Sequence, residues 1–143
     1  MIRAVLDSTV LVSAFLGPGG VSDALLGQAH KGNFTLYLAE DILAETRRIL
    51  LETERIRSRY AYADDSVERF IQELRDIANL IGSLPPLTGI VERDPNDDMI
   101  IACASAASAD YIVTRDDDLL SLRAYDSITM VTPEVFMDTL RSQ

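Results

Sequence analysis

The chain has one cysteine, Cys103, which excludes an intramolecular disulfide. It has one histidine, His30, so cysteine and histidine together cannot furnish a zinc site. No lysine follows Lys31, which excludes chemistry that needs a lysine after a late strand. Gly17-Pro18-Gly19-Gly20 is not followed by Gly-Lys-Ser/Thr, so it is a loop and not a phosphate-binding P-loop. No apolar run approaches the roughly 18 residues of a membrane span. The opening residues MIRAVLD lack a basic region, an apolar stretch and a cleavage site, so no secretory signal is read and a cytoplasmic protein is expected. Bases are scarce: 13 against 23 acids give a net charge of −10, which argues against a sequence-independent nucleic-acid coat protein.

What is present is a core and an unusual set of acids. Apolar residues are 48% of the 143, enough to exclude wholesale disorder, and the length fits one domain over residues 1–143. Fifteen of the acids are aspartate, a residue that favours caps and turns over helix interiors. Seven lie between residues 94 and 118: Asp94, Asp97, Asp98, Asp110, Asp116, Asp117 and Asp118. Arg115 is the only base in that window, and the flanking sequence is apolar, so this is no disordered acidic tail.

Residues 2–6 read as a strand running into Asp7. Ser22 is read as the cap of a helix that stops at Gly32, and 34–38 as a short strand. A long helix is expected from about Glu40 to Arg59. Asp65 and Glu68 resemble a capping box opening a helix that runs through Ile81, with Gly82 and Pro85-Pro86 ending it. Residues 99–109, apolar nearly all round, read as a buried helix in which Cys103 is packing. A strand at 111–114, a short helix at 117–122, a strand at 128–131 and a helix started by Thr132-Pro133-Glu134 complete the order. Strands alternating with helices imply an α/β fold with a central parallel sheet covered on both faces.

In open parallel sheets, ligands bind outside the carboxyl ends of the strands. Two strands here end in acid at that edge, one at Asp7 and one at Asp116. Asp98 opens the small-residue helix. Glu45 lies on the margin of the apolar arc of Ile42, Ile49, Leu50 and Ile56, whereas Glu40 and Glu54 point away. Each acid alone has a plain structural reading as a cap or turn residue, and Asp94-Pro95-Asn96-Asp97 reads equally as a turn before the next helix. Convergence of two strand ends and a helix start favours a site. Two carboxylates about 5 Å apart repel by about 3 kcal/mol at an effective dielectric near 20, so a cluster needs a counter-charge. Oxygen donors suit Mg²⁺ or Mn²⁺. Acid-only sites of this kind bind phosphates and activate water through the ion.

The motifs carrying these acids resemble those of PIN-domain ribonucleases, most closely VapC-type toxins. The matching stretches are Val5-Leu6-Asp7-Ser8-Thr9-Val10-Leu11, Ile42-Leu43-Ala44-Glu45 with Ile49-Leu50, Asp98-Met99-Ile100-Ile101-Ala102, and Tyr111-Ile112-Val113-Thr114-Arg115-Asp116 followed by Leu119-Leu120. The resemblance spans roughly residues 3–133. It implies a three-layer α/β/α sandwich and an endoribonuclease dependent on Mg²⁺ or Mn²⁺. It also implies a toxin with a cognate antitoxin and, often, a homodimer. By position it implies a catalytic set of Asp7, Glu45, Asp98 and Asp116. Asp7, Asp98 and Asp116 are the metal ligands in that scheme. Thr9, Asp97, Thr114 and Asp118 are the supporting residues, and Arg115 is the substrate contact. Asp97 and Asp98 are adjacent; the 18-residue spacing to Asp116 favours Asp98 as the third acid. Where the family commonly carries Asn two residues after the first Asp, this chain has Thr9, whose hydroxyl can bond a carboxylate or phosphate. Ala39-Glu40 stands where a Ser-Pro pair often precedes the second acid.

Two other functions compete. A phosphoacceptor receiver domain needs an acidic pair after the first strand and a late lysine, and has neither here. A non-catalytic RNA- or antitoxin-binding module would carry a degenerate acidic site. Arg47, Arg48, Arg55, Arg57 and Arg59 form either a solvated face interleaved with Glu52 and Glu54 or a phosphate-contact surface.

Overall fold

In a computed structural model, which describes residues 1–82, 84 and 95–143, the elements run β1 (Arg3–Leu6), α1 (Ser8–Leu16), α2 (Val21–His30), β2 (Thr35–Ala39), α3 (Glu40–Glu52), α4 (Glu54–Arg59), α5 (Asp64–Ile77), β3 (Asn79–Ile81), α6 (Pro95–Ala106), β4 (Tyr111–Val113), α7 (Asp117–Leu122), β5 (Ala124–Tyr125), β6 (Ile128–Val131) and α8 (Pro133–Arg141). The strands form one sheet in the order β3-β2-β1-β4-β6-β5, parallel throughout except for β5. Three consecutive residues of β1, Ala4, Val5 and Leu6, are wholly buried, as a strand covered on both faces requires. Helices α1, α2, α3 and α5 pack on one another, while α6 lies across β1, β2 and β4. Right-handed crossovers put these two groups on opposite faces, giving the α/β/α sandwich.

The chain leaves β1 toward β2 and β3, then returns through α6 to β4 and on to β6. The strand order therefore reverses between β1 and β4. Their carboxyl ends flank the crevice at which such sheets bind ligands. The ladder runs past both strands: Asp7 N–H donates to Val113 O at 3.1 Å and Thr114 N–H to Val131 O at 2.9 Å. Residues 7 and 114 are thus fixed at neighbouring positions on the edge.

Several boundaries differ from the sequence reading. Ser8–Leu16 is a helix, capped by the Asp7 carboxylate, which accepts from Val10 N–H. Gly20, not Ser22, precedes α2; Gly19 takes φ +84, and its N–H donates to Asp23 Oδ2 at 2.9 Å. The long helix breaks at Thr53. There Tyr62 Oη–H takes the Leu50 carbonyl at 2.6 Å and Arg57 Nη1–H the Leu51 carbonyl at 3.4 Å, replacing helical donors. The capping box at Asp65 does not form: Ala63 precedes α5, and Glu68 binds Arg47 Nε at 2.5 Å instead. Helix α5 stops at Ile77, and Asn79–Ile81 is an edge strand paired with Tyr37–Ala39. A three-residue strand continuing an apolar helix pattern carries no period of its own to reveal it. Helix α6 begins at Pro95, so Asp98 sits within its first turn, and it ends at Ala106. The expected stop at Pro85-Pro86 and the position of Asp94 lie outside the described residues.

Among the described residues no single helix is long and apolar enough to cross a membrane; α1 and α2 pass only as a pair, and they meet at a 102° bend. Helix α8 closes the molecule. Thr132 caps it and Pro133 starts it. Its fully buried Phe136 stacks edge-on against Phe34 at 5.0 Å and packs on Tyr111 at 5.5 Å. Phe136→Ala removes this three-ring contact and leaves a cavity, a change expected to cost about 3–5 kcal/mol. Urea unfolding followed by far-UV circular dichroism checks it.

Candidate functional site

Asp7 lies at the carboxyl end of β1 and is only 2% exposed. Both its oxygens are bonded. Oδ1 accepts from Thr9 Oγ1–H at 2.6 Å and from Val10 N–H at 3.1 Å. Oδ2 accepts from Thr114 Oγ1–H. The two threonines are themselves pinned from the β4 side. Thr9 Oγ1 accepts from Arg115 N–H at 3.1 Å, and Thr114 Oγ1 accepts from Asp116 N–H at 2.9 Å. Two hydroxyls therefore tie one buried carboxylate to two consecutive backbone amides. That knits the start of α1 to the loop leaving β4.

Burial nonetheless dominates the Asp7 titration. Loss of solvent raises its pKa from 3.8 to about 6; the bonds from Thr114, Thr9 and Val10 pull it down, and the nearby Asp116 charge pushes it up. The group invites either a proton or a cation.

Asp116 caps α7, its Oδ1 accepting from Asp118 N–H at 2.9 Å. The carboxylates of Asp97, Asp116 and Asp118 each offer an oxygen, and these three atoms lie within 4.8 Å of one another. Asp97 is buried; Asp116 and Asp118 are half-buried. Three hard oxygen donors at that separation match the chemistry of Mg²⁺ or Mn²⁺, so the residues fit such an ion.

Three of the predicted residues share one cluster of ligand atoms. Asp116 joins the three-carboxylate cluster together with Asp97 and Asp118, both read from the sequence as supporting residues. Asp98 is equally buried beside Asp97 on α6 but is not one of the three. Asp7 is linked to Asp116 through Thr114. Glu45, with a side chain 14% exposed on α3, lies 3.8 Å from Arg48 and outside the three. Thr9 bonds a carboxylate as its hydroxyl suggested. Arg115 projects from the loop and makes two bonds to Glu134 on α8, Nη1 to Oε1 at 3.1 Å and Nη2 to Oε2 at 2.7 Å. Sequence reasoning used Glu134 only as part of a helix start; no local pattern ties it to a residue 19 positions earlier. The arginines of the long helix are largely occupied by ion pairs: Arg47 with Glu68, Arg48 with Glu45 and Arg57 with Asp64.

A mostly parallel sheet with three carboxylates gathered where its strand order reverses defines an α/β protein with a candidate divalent-ion site. The family profile described as PIN domain matches residues 3–118, so the chain belongs to the PIN-domain family. Such domains are generally metal-dependent nucleases that act on RNA. Among solved structures, the chain is similar to the crystal structure of PAE2754 from Pyrobaculum aerophilum. The TM-score is 0.64 at 16% identity, with 99% of this chain and 91% of that one covered, a likeness of fold. No curated protein matches. Membership displaces the receiver-domain reading.

The raised Asp7 pKa sets a pH dependence. A carboxyl that titrates at about 6 folded and 3.8 unfolded binds its proton more tightly in the native state. Its contribution to stability is full below the unfolded value and is lost as pH rises through the folded one. The displacement corresponds to about 3 kcal/mol. In metal-free protein, Asp7→Asn should therefore gain on the wild type as pH rises from 4 to 7, by up to that amount. Paired thermal melts in EDTA across the range test this. A difference that does not vary with pH contradicts the assignment.

Proposed function

We infer that this chain is an endoribonuclease that uses Mg²⁺ or Mn²⁺ to hydrolyse RNA phosphodiesters, and that it is the toxin of a toxin–antitoxin pair. The observation that carries the reading is the meeting of the Asp97, Asp116 and Asp118 carboxylates beside the Asp7–Thr114 linkage at the sheet's switch point. Asp97, Asp116 and Asp118 would hold the ion directly. Asp7 and Asp98, which the family motifs mark, complete the first metal environment, and Glu45 supports it from α3. Bound there, the ion supplies charge neutralisation at the phosphate and lowers the pKa of water.

The protein's own residues do the rest. Thr9 and Thr114 fix the Asp7 carboxylate and hold its oxygens in one orientation. The Asp118 N–H fixes Asp116 in the same way. Arg115, at the edge of the acids, contacts the phosphate backbone. With a net charge of −10 there is no global attraction for RNA, so affinity depends on the ion and on local contacts. Such a protein suits a partner chain that controls access, which is why the proposal includes a cognate antitoxin and a homodimer. The alternative, a binding module with a degenerate site, is less well supported, because Thr9 donates to Asp7 where an Asn commonly stands.

Purified protein should cleave single-stranded RNA with Mn²⁺ or Mg²⁺ and stop with EDTA. Asp116→Asn and Asp97→Asn should each lose about 100-fold or more in rate while retaining the wild-type circular dichroism. Cleavage that persists in EDTA, or full activity in both variants, would refute the metal-nuclease reading. Where a small protein is encoded beside this gene, suppression of cleavage by it supports the toxin assignment, and undiminished cleavage in its presence removes it.

A further inference from the structure

We propose that Glu134 is a positioning residue that holds Arg115 as a phosphodiester clamp at the edge of the acidic site. The proposal rests on the nuclease reading and extends it to a residue outside the acidic motifs. Arg115 is the only base between residues 94 and 118. Its backbone lies between Thr114 and Asp116, and its own N–H is bonded to Thr9 Oγ1. Its place at the mouth of the site is therefore set by the same threonine that orients Asp7. What remains free to vary is the side chain, a long arm with many rotamers.

Glu134 removes that freedom. The paired bonds from Nη1 and Nη2 engage one edge of the guanidinium, using one N–H from each nitrogen. Among the described residues, the Nε–H and the second N–H of each Nη make no other hydrogen bond, which leaves them for another anion. A bidentate grip also fixes the plane of the group. Glu134 is itself well placed to act as the anchor. Thr132 follows β6 at the same edge of the sheet as Asp7 and Thr114. Thr132 caps α8 and Pro133 locks its first turn, where the helix dipole favours a carboxylate. Arg115 holds the Glu134 carboxyl below its usual range, so the anchor stays charged. The pair is partly exposed, at 39% for Arg115 and 55% for Glu134, so it adds little to fold stability and leaves the guanidinium within reach of a ligand.

The test uses two probes, because the natural RNA target is unknown. The first is hydrolysis of the p-nitrophenyl ester of thymidine 5′-monophosphate with Mn²⁺. The second is binding of a fluorescein-labelled single-stranded RNA in Ca²⁺, by anisotropy. Arg115→Ala should raise KM about tenfold and reduce the slope of log KM against log salt by about 1. Glu134→Ala should raise KM severalfold and keep the wild-type salt slope, since the charge remains but is no longer held. The double variant should be no worse than Arg115→Ala, and Glu134→Asp should recover part of the loss. A wild-type KM in Glu134→Ala, a lower KM, or additive losses in the double variant would overturn the proposal. If the wild type hydrolyses nothing, the nuclease reading fails on its own. The clamp is then judged by RNA binding alone: weakening in both single variants, larger in Arg115→Ala, supports it, while unchanged binding in either variant, or no wild-type binding, refutes it.

Discussion

A carboxylate that is 2% exposed can keep its charge only with donors or a cation at hand, and in this protein that carboxylate is Asp7. Its position follows from topology. Strand β1 is central, is buried on both faces, and borders the point where strand order reverses. The first residue past it must therefore lie in the crevice. Placing an acid there forces the surroundings to compensate: a helix amide from Val10, a hydroxyl from Thr9 and a hydroxyl from Thr114. Those donors come from two separate segments, which must then stay together. The site and the central strand pair are held by the same bonds.

The rest of the acidic edge follows from this arrangement. Thr114 bonds Asp7 through its hydrogen and the Asp116 amide through its oxygen, so the orientation of Asp116 depends on the contact made across the sheet. Asp116 in turn caps α7 and meets Asp97 from α6, the helix that returns the chain across the other face. Two segments far apart in sequence, α6 and the turn that opens α7, deliver one cluster of oxygens. The net charge of −10, which on its own argues against a nucleic-acid partner, takes on a different meaning here. Part of it is concentrated where a divalent ion fits, and Arg115 is turned to the same edge with its guanidinium braced by Glu134.

Much of this was legible in the sequence, and the reasons differ by feature. Asp7 follows the apolar run Ala4-Val5-Leu6 and sits at a strand end as read, whereas Asp116, read as a strand end, lies three residues past β4 and caps α7. The α/β class follows from alternation of periods. The choice between Asp97 and Asp98 was not legible, because helix α6 begins at Pro95 and both acids fall in its first turn, where one residue of offset turns a side chain by about 100°. The edge strand Asn79–Ile81 was hidden for another reason: it is three residues long and continues the apolar pattern of α5. The break at Thr53 depends on Tyr62 and Arg57 reaching back to carbonyls of the preceding helix, which no local propensity encodes. Glu134 escaped notice because its role exists only through a tertiary contact with Arg115.

The acids gathered at the carboxyl edge of the sheet are proposed to form a divalent-metal site. Diffraction from crystals grown with Mn²⁺, with data collected at the manganese absorption edge, tests it most directly. An anomalous peak is expected within coordinating distance of carboxylate oxygens of Asp97, Asp116 and Asp118, lost in Asp116→Asn. Crystals that hold no manganese there at millimolar concentration, or that hold it only at another surface, would contradict it.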